Sequence, residues 1–556
     1  MNLSHFPFAC VLAAIIFTDP LASGGEVVGT TLRFNQDVLP ILAENCFACH
    51  GFDEAAREAD LRLDTPRGAE SVLAAGDPSE SELIHRTESS DPDTVMPPPD
   101  SGKRLTESQR QTLRLWVRQG APYEPHWSFK KPMRPVPPAV ARAIHPIDRF
   151  VQSRLHAEGI EPSPTADHAT LIRRVSLDLI GLPPTTDELD QFLAAAAENP
   201  EEAWQELVDR LLSSPHYGQR WGRWWLDQAR YADSNGYSID GPRSIWKFRD
   251  WVIDALNADM PFDQFTIEQL AGDLLPGATV SQQVATGFHR NTQINQEGGI
   301  DKEQFRVDSV FDRVATTGTV WLGLSVGCAQ CHDHKFDPIS QVEYYRMFAF
   351  LNDQDEPTMK VYQPGLDLAA LTNQFEQAKA DVAKFLDQEQ QAKEIGKWEQ
   401  SLDEDAQMKL PKNVRKSLDK KPANRSFDDR RTLFNAAGDS IRKDARSQYK
   451  KLEARFDAVD TKLNRTATTL VMKERDEPRK TMLLIKGDFT RPDEEVTPGT
   501  LSVLHPFEPK SDRANRMDLA RWIVSRDNPL TARVIVNRIW LQYFGRGLVE
   551  SENDFG

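Results

Sequence analysis

A chain of 556 residues is longer than one hydrophobic core supports, so several domains are expected. With 67 Lys and Arg against 84 Asp and Glu, the formal charge is −17. That excludes a general nucleic-acid binder, whose surface must be basic to displace counterions from phosphates.

The first element is an apolar run at residues 6–17 (FPFACVLAAIIF), followed by Asp19-Pro20 and the small residues Ala22, Ser23 and Gly24. A run this short before small residues has the outline of a secretory signal, although no Lys or Arg precedes it. Residues 1–24 are therefore read as a removed signal peptide, and Cys10 leaves with them. No later apolar run is long enough for a membrane span, so no transmembrane anchor is expected after signal removal. The expected location is the periplasm or the cell surface.

Four cysteines remain, in two identical patterns: Cys46-Phe47-Ala48-Cys49-His50 and Cys328-Ala329-Gln330-Cys331-His332. Two thiols three residues apart on one helical turn can form thioethers with one porphyrin, and the adjacent His then lies beneath the iron. Covalent haem c is thus expected at Cys46 and Cys49 with His50 as axial ligand, and at Cys328 and Cys331 with His332. A zinc site would need four ligands from pairs close in space, and these pairs are far apart in sequence. A thioredoxin-like dithiol would need a βαβ context that neither has.

Around the first motif, Val38, Ile41, Leu42 and Asn45 share one helical face leading into Cys46. Met96, in Val95-Met96-Pro97-Pro98-Pro99, is the candidate sixth ligand of this haem. A thioether raises the potential of the iron, and His/Met ligation is an electron-transfer arrangement. A closing helix is predicted from the capping box Thr106-x-x-Gln109, with Leu113, Trp116 and Val117 buried and Gly120 as the stop. Residues 31–124 thus read as a small class I-like cytochrome c domain.

Residues 125–146 are proline-rich, a stiff extended linker. From residue 147 the pattern is helical: Ile147, Phe150, Val151 and Leu155 make one stripe, and Leu171, Ile172, Val175 and Leu179 another. Residues 216–275 interleave Trp with Arg and Asp. An acid/base role for Asp233 or Asp240 is one reading; a tryptophan core covered by paired arginines is the preferred one. The second motif completes this helical domain, 147–355. Its sixth ligand is open: His289 is the candidate of choice, His334 and Met347 are alternatives, and a vacant position would permit O2 or peroxide chemistry. The segment 332–337, His-Asp-His-Lys-Phe-Asp, is read as hydrogen bonding that orients His332, with a second metal as the rival.

Residues 366–475 carry two short heptad seams, Leu371/Phe375/Ala378/Val382/Phe385 and Tyr449/Leu452/Phe456/Val459/Leu463. The simplest arrangement is a charged, coiled-coil-like antiparallel helical hairpin. Residues 476–556 suggest one strand near 482–485, loops, and a helix from Met517. The whole is a mainly α chain with a short α+β piece at its C-terminus.

The stretches FNQDVLPILAENCFACHG, VMPPPDSGKRLT and LRLWVRQGA together resemble the planctomycete-type cytochrome c domain. RRVSLDLIGLPPTTDEL, YGQRWGRWWLDQARYADSNGY and LGLSVGCAQCHDHKFDPIS resemble that family's second, cytochrome-like module. RMDLARWIVSRDNPLTARVIVNRIWLQYFGRGLV resembles the opening of its third. The resemblance implies an exported multidomain protein with covalent haem. Family members continue well beyond Phe555-Gly556, so 476–556 is expected to be the start of a truncated C-terminal domain. The functional expectation is a di-haem c-type cytochrome that transfers electrons to a redox partner protein, basic or neutral given the acidic surface. Alternatives are a haem-dependent oxidative enzyme and a cell-surface scaffold.

Overall fold

The structure, a computed structural model, describes residues 31–140, 145–362, 367–464 and 467–556. The signal-peptide segment and Cys10 lie outside the described residues. The fold is mainly helical, with only two-stranded antiparallel sheets among the described residues. It divides into two compact units, one running to Lys130 and including Lys335–Asp337, the other holding the remainder.

In the first unit a turn of π-helix, Phe34–Val38, leads into α1 (Leu39–Asn45) and the single turn α2 (Phe47–His50). Two more short helices, α3 (Pro66–Ala69) and α4 (Glu82–Glu88), precede the closing helix α5 (Glu107–Arg118). The expected capping box holds α5: Thr106 accepts from the Gln109 amide and the Gln109 side chain caps Thr106. The core packs Phe34, Val38, Leu42 and Phe47 against Leu83, Leu113, Trp116 and Val117. Trp116 donates to Pro122 O at 3.0 Å, and the Tyr123 hydroxyl donates to Leu63 O at 3.1 Å. These bonds satisfy the polar atoms of two rings that otherwise pack with Phe34.

The second unit begins with Pro146–Ala157, where Pro146 sits in the first turn, the position at which its missing N–H costs nothing. The stripe predicted here forms on a helix but stays uncovered: Ile147, Phe150 and Val151 are 46%, 41% and 44% exposed. The next three helices, His168–Ile180, Thr186–Glu198 and Pro200–Leu212, do bury their stripes, around Ile172, Phe192 and Leu207. Beyond them lies an aromatic core. Trp225 packs on Phe265 with centroids 5.0 Å apart and donates to Gln269 at 2.7 Å, and Trp321 donates to Thr266 at 3.1 Å. Asp233 accepts from the Tyr231 hydroxyl at 2.6 Å, and Asp240 accepts from the Gly236 amide at 2.6 Å and from Ser234 at 3.0 Å. Both carboxylates thus hold loops, and Arg220 lies over Trp221 at 5.9 Å.

The heptad-seam helices Leu368–Leu386 and Lys443–Asn464 do pair. Phe375 meets Phe456 and Phe385 meets Tyr449, so the two run antiparallel. They are not a bare hairpin. Of four further helices between them, Glu389–Gln400, Lys412–Leu418 and Phe427–Ala437 build one core with them around Trp398, Val414, Leu433 and Phe434, while Glu404–Lys409 buries no residue. The short antiparallel pairing of Thr358–Val361 with Ala467–Leu470 closes this excursion at its base.

The C-terminal residues are equally integral to this unit. The strand Thr481–Leu484 has a partner, Pro492–Val496. From Arg516–Ile523, the Arg516 side chain, 1% exposed, reaches Asp273 at 2.6 Å, Glu474 at 3.0 Å and Leu270 O at 2.8 Å. From Thr531–Phe544, buried Arg538 donates to Val320 O and Thr319 O. These contacts make the segment after 476 part of one unit with the preceding helical domain. Removing the Arg516 charge while keeping its bulk, Arg516→Met, leaves two carboxylates without their buried partner. A loss of about 3–5 kcal/mol is expected in denaturant unfolding.

Candidate functional site

The turn between α1 and α2 brings the first motif together. Cys46 N–H closes onto Leu42 O at 2.7 Å, and the Cys49 and His50 amides both return to Cys46 O. Gly51 then needs its missing side chain, because a Cβ there would stand 2.3 Å from Phe47 O. His50 Nδ1 lies 3.2 Å from Glu58 O. With the proton on Nδ1 it donates to that carbonyl, which leaves the lone pair on Nε2. Burial pushes the His50 pKa down, with the Glu58 carbonyl opposing, so the neutral, ligating form is favoured.

Across from the motif, the Met96 amide donates to Arg86 O at 3.0 Å and anchors the proline loop to α4. Cys46, Cys49, His50 and Met96 all line one cavity of about 450 Å³. Its remaining walls are largely apolar, among them Leu61, Leu63, Val72, Leu83 and Pro97, with Arg86 and Lys103 as the lining cations. Two thiols, an imidazole with Nε2 as acceptor and a thioether around an apolar slot are the donor set of a His/Met haem c. The residues present fit that group.

The second motif is built differently. Val326–Gln330 forms a 3-10 turn, and Cys328, Cys331 and His332 are exposed. His332 Nδ1 lies 2.6 Å from Asp333 O, the same kind of backbone tether as at His50. Asp333 accepts from the Gln341 amide at 2.7 Å, so 332–333 do carry orienting hydrogen bonds. Among the described residues no three His, Cys, Asp or Glu side chains gather as a metal site. His289 lies in the aromatic core: it is fully buried, its ring 5.1 Å from Phe288 and 6.3 Å from Trp321, with Nε2 3.4 Å from the Thr317 hydroxyl. His334 and Met347 are buried as well. Cys46, Cys49, His50 and Met96 thus share a cavity, whereas His289 contacts Phe288, Trp321, Thr317 and Arg313.

Three family models match separate stretches. Planctomycete cytochrome C matches residues 46–100, PSCyt2, a protein of unknown function (DUF1549), matches 146–356, and PSD1, a protein of unknown function (DUF1553), matches 515–556. The chain belongs to the planctomycete cytochrome c multidomain family. No curated protein and no solved structure matches it. The planctomycete cytochrome C match begins at Cys46 and spans the Met96 loop, so the first unit contains a c-type cytochrome domain. No helix among the described residues is long and apolar enough to cross a membrane.

Within this cytochrome domain, motif reading missed the cavity walls. Their signal was present: Leu83, Arg86 and Thr87 sit at i, i+3 and i+4 on α4, and Leu61 and Leu63 alternate with Arg62. The Glu58 carbonyl carries no side-chain signature and could not be read.

Two expectations concern titration. Burial pushes the Cys46 thiol up to about 12, whereas Cys49 is exposed. In the haem-free chain at pH 8, Cys49 should alkylate at least about tenfold faster than Cys46, as read by peptide mass spectrometry. The His289 pKa is held well below the ordinary histidine value of about 6.5, first by burial and then by Arg313, Arg230 and Arg516. Native His289 therefore stays neutral while unfolded His289 takes up a proton below pH 6.5. Its contribution to stability is complete above that pH and falls by up to about 1.4 kcal/mol per unit as pH drops towards the native pKa. His289→Gln should show a shallower acid slope than the wild type in urea unfolding between pH 4.5 and 7.

Proposed function

We propose that this protein is an exported c-type cytochrome that carries electrons, with its principal haem in the first unit. The observation that carries the reading is the convergence of both thiols of one motif, its histidine and Met96 on a single apolar cavity. Cys46 and Cys49 would hold the group covalently, while His50 Nε2 and the Met96 sulfur would be its axial ligands. Lys103 is the lining cation that would meet its carboxylates, since Arg86 is already paired at 2.7 Å with Glu82, which lines the same cavity. When bound, haem supplies one-electron chemistry at its iron; the chain supplies ligand identity, burial and exclusion of water.

A second haem at Cys328, Cys331 and His332 belongs to the same proposal. It is supported by the intact motif and by the tether of His332 Nδ1 to a backbone carbonyl. His289 is buried beside Phe288, Trp321 and Thr317, and no sixth ligand is assigned to this haem. The redox partner would be a protein with a basic docking face, since a chain of formal charge −17 steers cations towards itself.

Expression with c-type maturation in a bacterial periplasm, followed by intact mass and visible spectroscopy, tests both haems. Two covalent haems are expected. One haem with Cys328 and Cys331 still alkylatable removes the second while leaving the first. No covalent haem at Cys46 and Cys49 refutes the proposal. Met96→His should keep a low-spin spectrum and lower the midpoint potential of the first haem by on the order of 100 mV, in a redox titration.

A further inference from the structure

The second unit holds a cleft that the haem reading does not use. A cavity of about 470 Å³ is lined by five cationic side chains: Arg290, Lys302, Arg306, Arg313 and Arg479. Only two carboxylates, Asp355 and Glu356, line it with them. Glu356 is shared by Arg313 at 2.7 Å and Arg290 at 3.4 Å, and the two arginine side chains are 1% and 5% exposed. Glu303 pairs with Arg306, and Arg475 pairs with Asp355. Counting those two partners as well, six cations meet three carboxylates. An excess of three positive charges in a concave, partly dry site costs self-energy unless an anion enters.

The cations register that cost. The Arg290 guanidinium is pushed down to about 10 by burial, Glu356 opposing and Arg313 and Arg243 adding repulsion. Arg479 is pushed down by burial, Arg306 and Arg475. One buried polar atom of the lining residues, Gln354 Oε1, has no hydrogen-bond partner, and Arg290 Nε meets only the Glu356 carboxylate, at 3.4 Å. Such orphaned atoms are unusual in a folded interior, where nearly every buried polar atom is paired.

A second cavity of about 460 Å³ shares Thr292, Gln293 and Ser309 with the first. Its character differs. Asp308 and Asp312 balance Arg230 and Arg243, and Tyr237 and Asn235 add further polar wall. Asn291, buried there, has an unpartnered Oδ1. These walls are rich in acceptor oxygens, which match hydroxyl donors rather than apolar groups or further anions.

We propose that this double cleft binds a small polyhydroxylated molecule through an oxyanion group seated among Arg290, Arg313 and Arg479. Part of each guanidinium is already engaged, Arg313 with His289 O and Glu356, Arg290 with Val471 O and Glu356, and Arg479 with Asn352 O and Gln354 O. The remaining N–H groups are the donors that would meet the oxygens of phosphate, sulfate or carboxylate. The hydroxylated body would lie against Asp308, Asn235 and Asn291. The site contains no haem ligand, so the proposal stands or falls independently of the cytochrome reading.

The test uses the full haem-loaded chain and isothermal calorimetry at fixed ionic strength. The probes are glucose 6-phosphate, glucose 6-sulfate and glucuronate, with glucose and sodium chloride as controls. At least one charged sugar should bind saturably and at least about tenfold more tightly than glucose. The probe that binds identifies which oxyanion the cleft prefers. The double variant Lys302→Gln/Arg479→Gln changes one exposed and one partly exposed side chain, and should weaken that probe at least about tenfold. If the double variant fails to fold, Lys302→Gln alone, at an exposed position, should give a loss of about threefold. Absence of saturable binding by all three charged sugars, or unchanged affinity in the folded variant, overturns the proposal.

Discussion

A unit of roughly a hundred residues has little apolar surface to spare, because small folds bury a smaller fraction of their chain. The first unit directs part of that surface at a cavity. Leu63 and Leu83 belong both to the core and to the cavity wall. The group that fills the cavity would therefore complete the core as well as supply the chemistry. The remaining packing is arranged to tolerate the opening. Trp116 and Tyr123 are pinned by hydrogen bonds to Pro122 and Leu63 carbonyls, and α5 is capped at its start. Held between them, the motif turn presents Cys46, Cys49 and His50 in one arrangement.

The second unit meets the opposite problem. It is large and irregular, and among the described residues its strands are short, so backbone ladders do little to join distant segments. Buried arginines do that work. Arg516 joins the helix Arg516–Ile523 to Asp273 and Glu474, Arg538 joins the last helix to Thr319 and Val320, and Arg313 joins His289 O to Glu356. A buried ion pair is no guarantee of net stability, since desolvation offsets its attraction. What these arginines add is directionality: a planar fork with fixed partners admits one arrangement of the segments it joins.

Much of this was legible from local pattern. The two Cys-x-x-Cys-His runs, the capping box at Thr106, the paired seams at Phe375 and Phe456 and the helices around Ile172 all follow from short-range chemistry, and the structure contains these elements. What was not legible depends on the third dimension. The strand Pro492–Val496 is acidic and opens with proline, so nothing in its composition calls for a strand until Thr481–Leu484 offers an edge. The helices Glu404–Lys409 and Lys412–Leu418 are too short to show a period. The stripe Ile147/Phe150/Val151 gives a clear helical signal, yet a period says which residues share a face and not whether anything covers it. Arg290, Arg313 and Arg479 are spread over some 190 residues and converge only on folding.

The distribution of charge separates two recognition tasks that composition merges into a single number. A net charge of −17 describes the field felt at a distance, and it acts on large partners by steering. The cleft in the second unit has the reverse sign. Its excess cations lie partly inside low-dielectric walls, where salt screens them far less than it screens surface charges. A small anion must therefore be recognised at short range, by paired N–H donors and not by the long-range field, which would repel it. A basic redox partner drawn to the acidic surface would therefore not conflict with a negatively charged small molecule entering the cleft. The two events would draw on different charges.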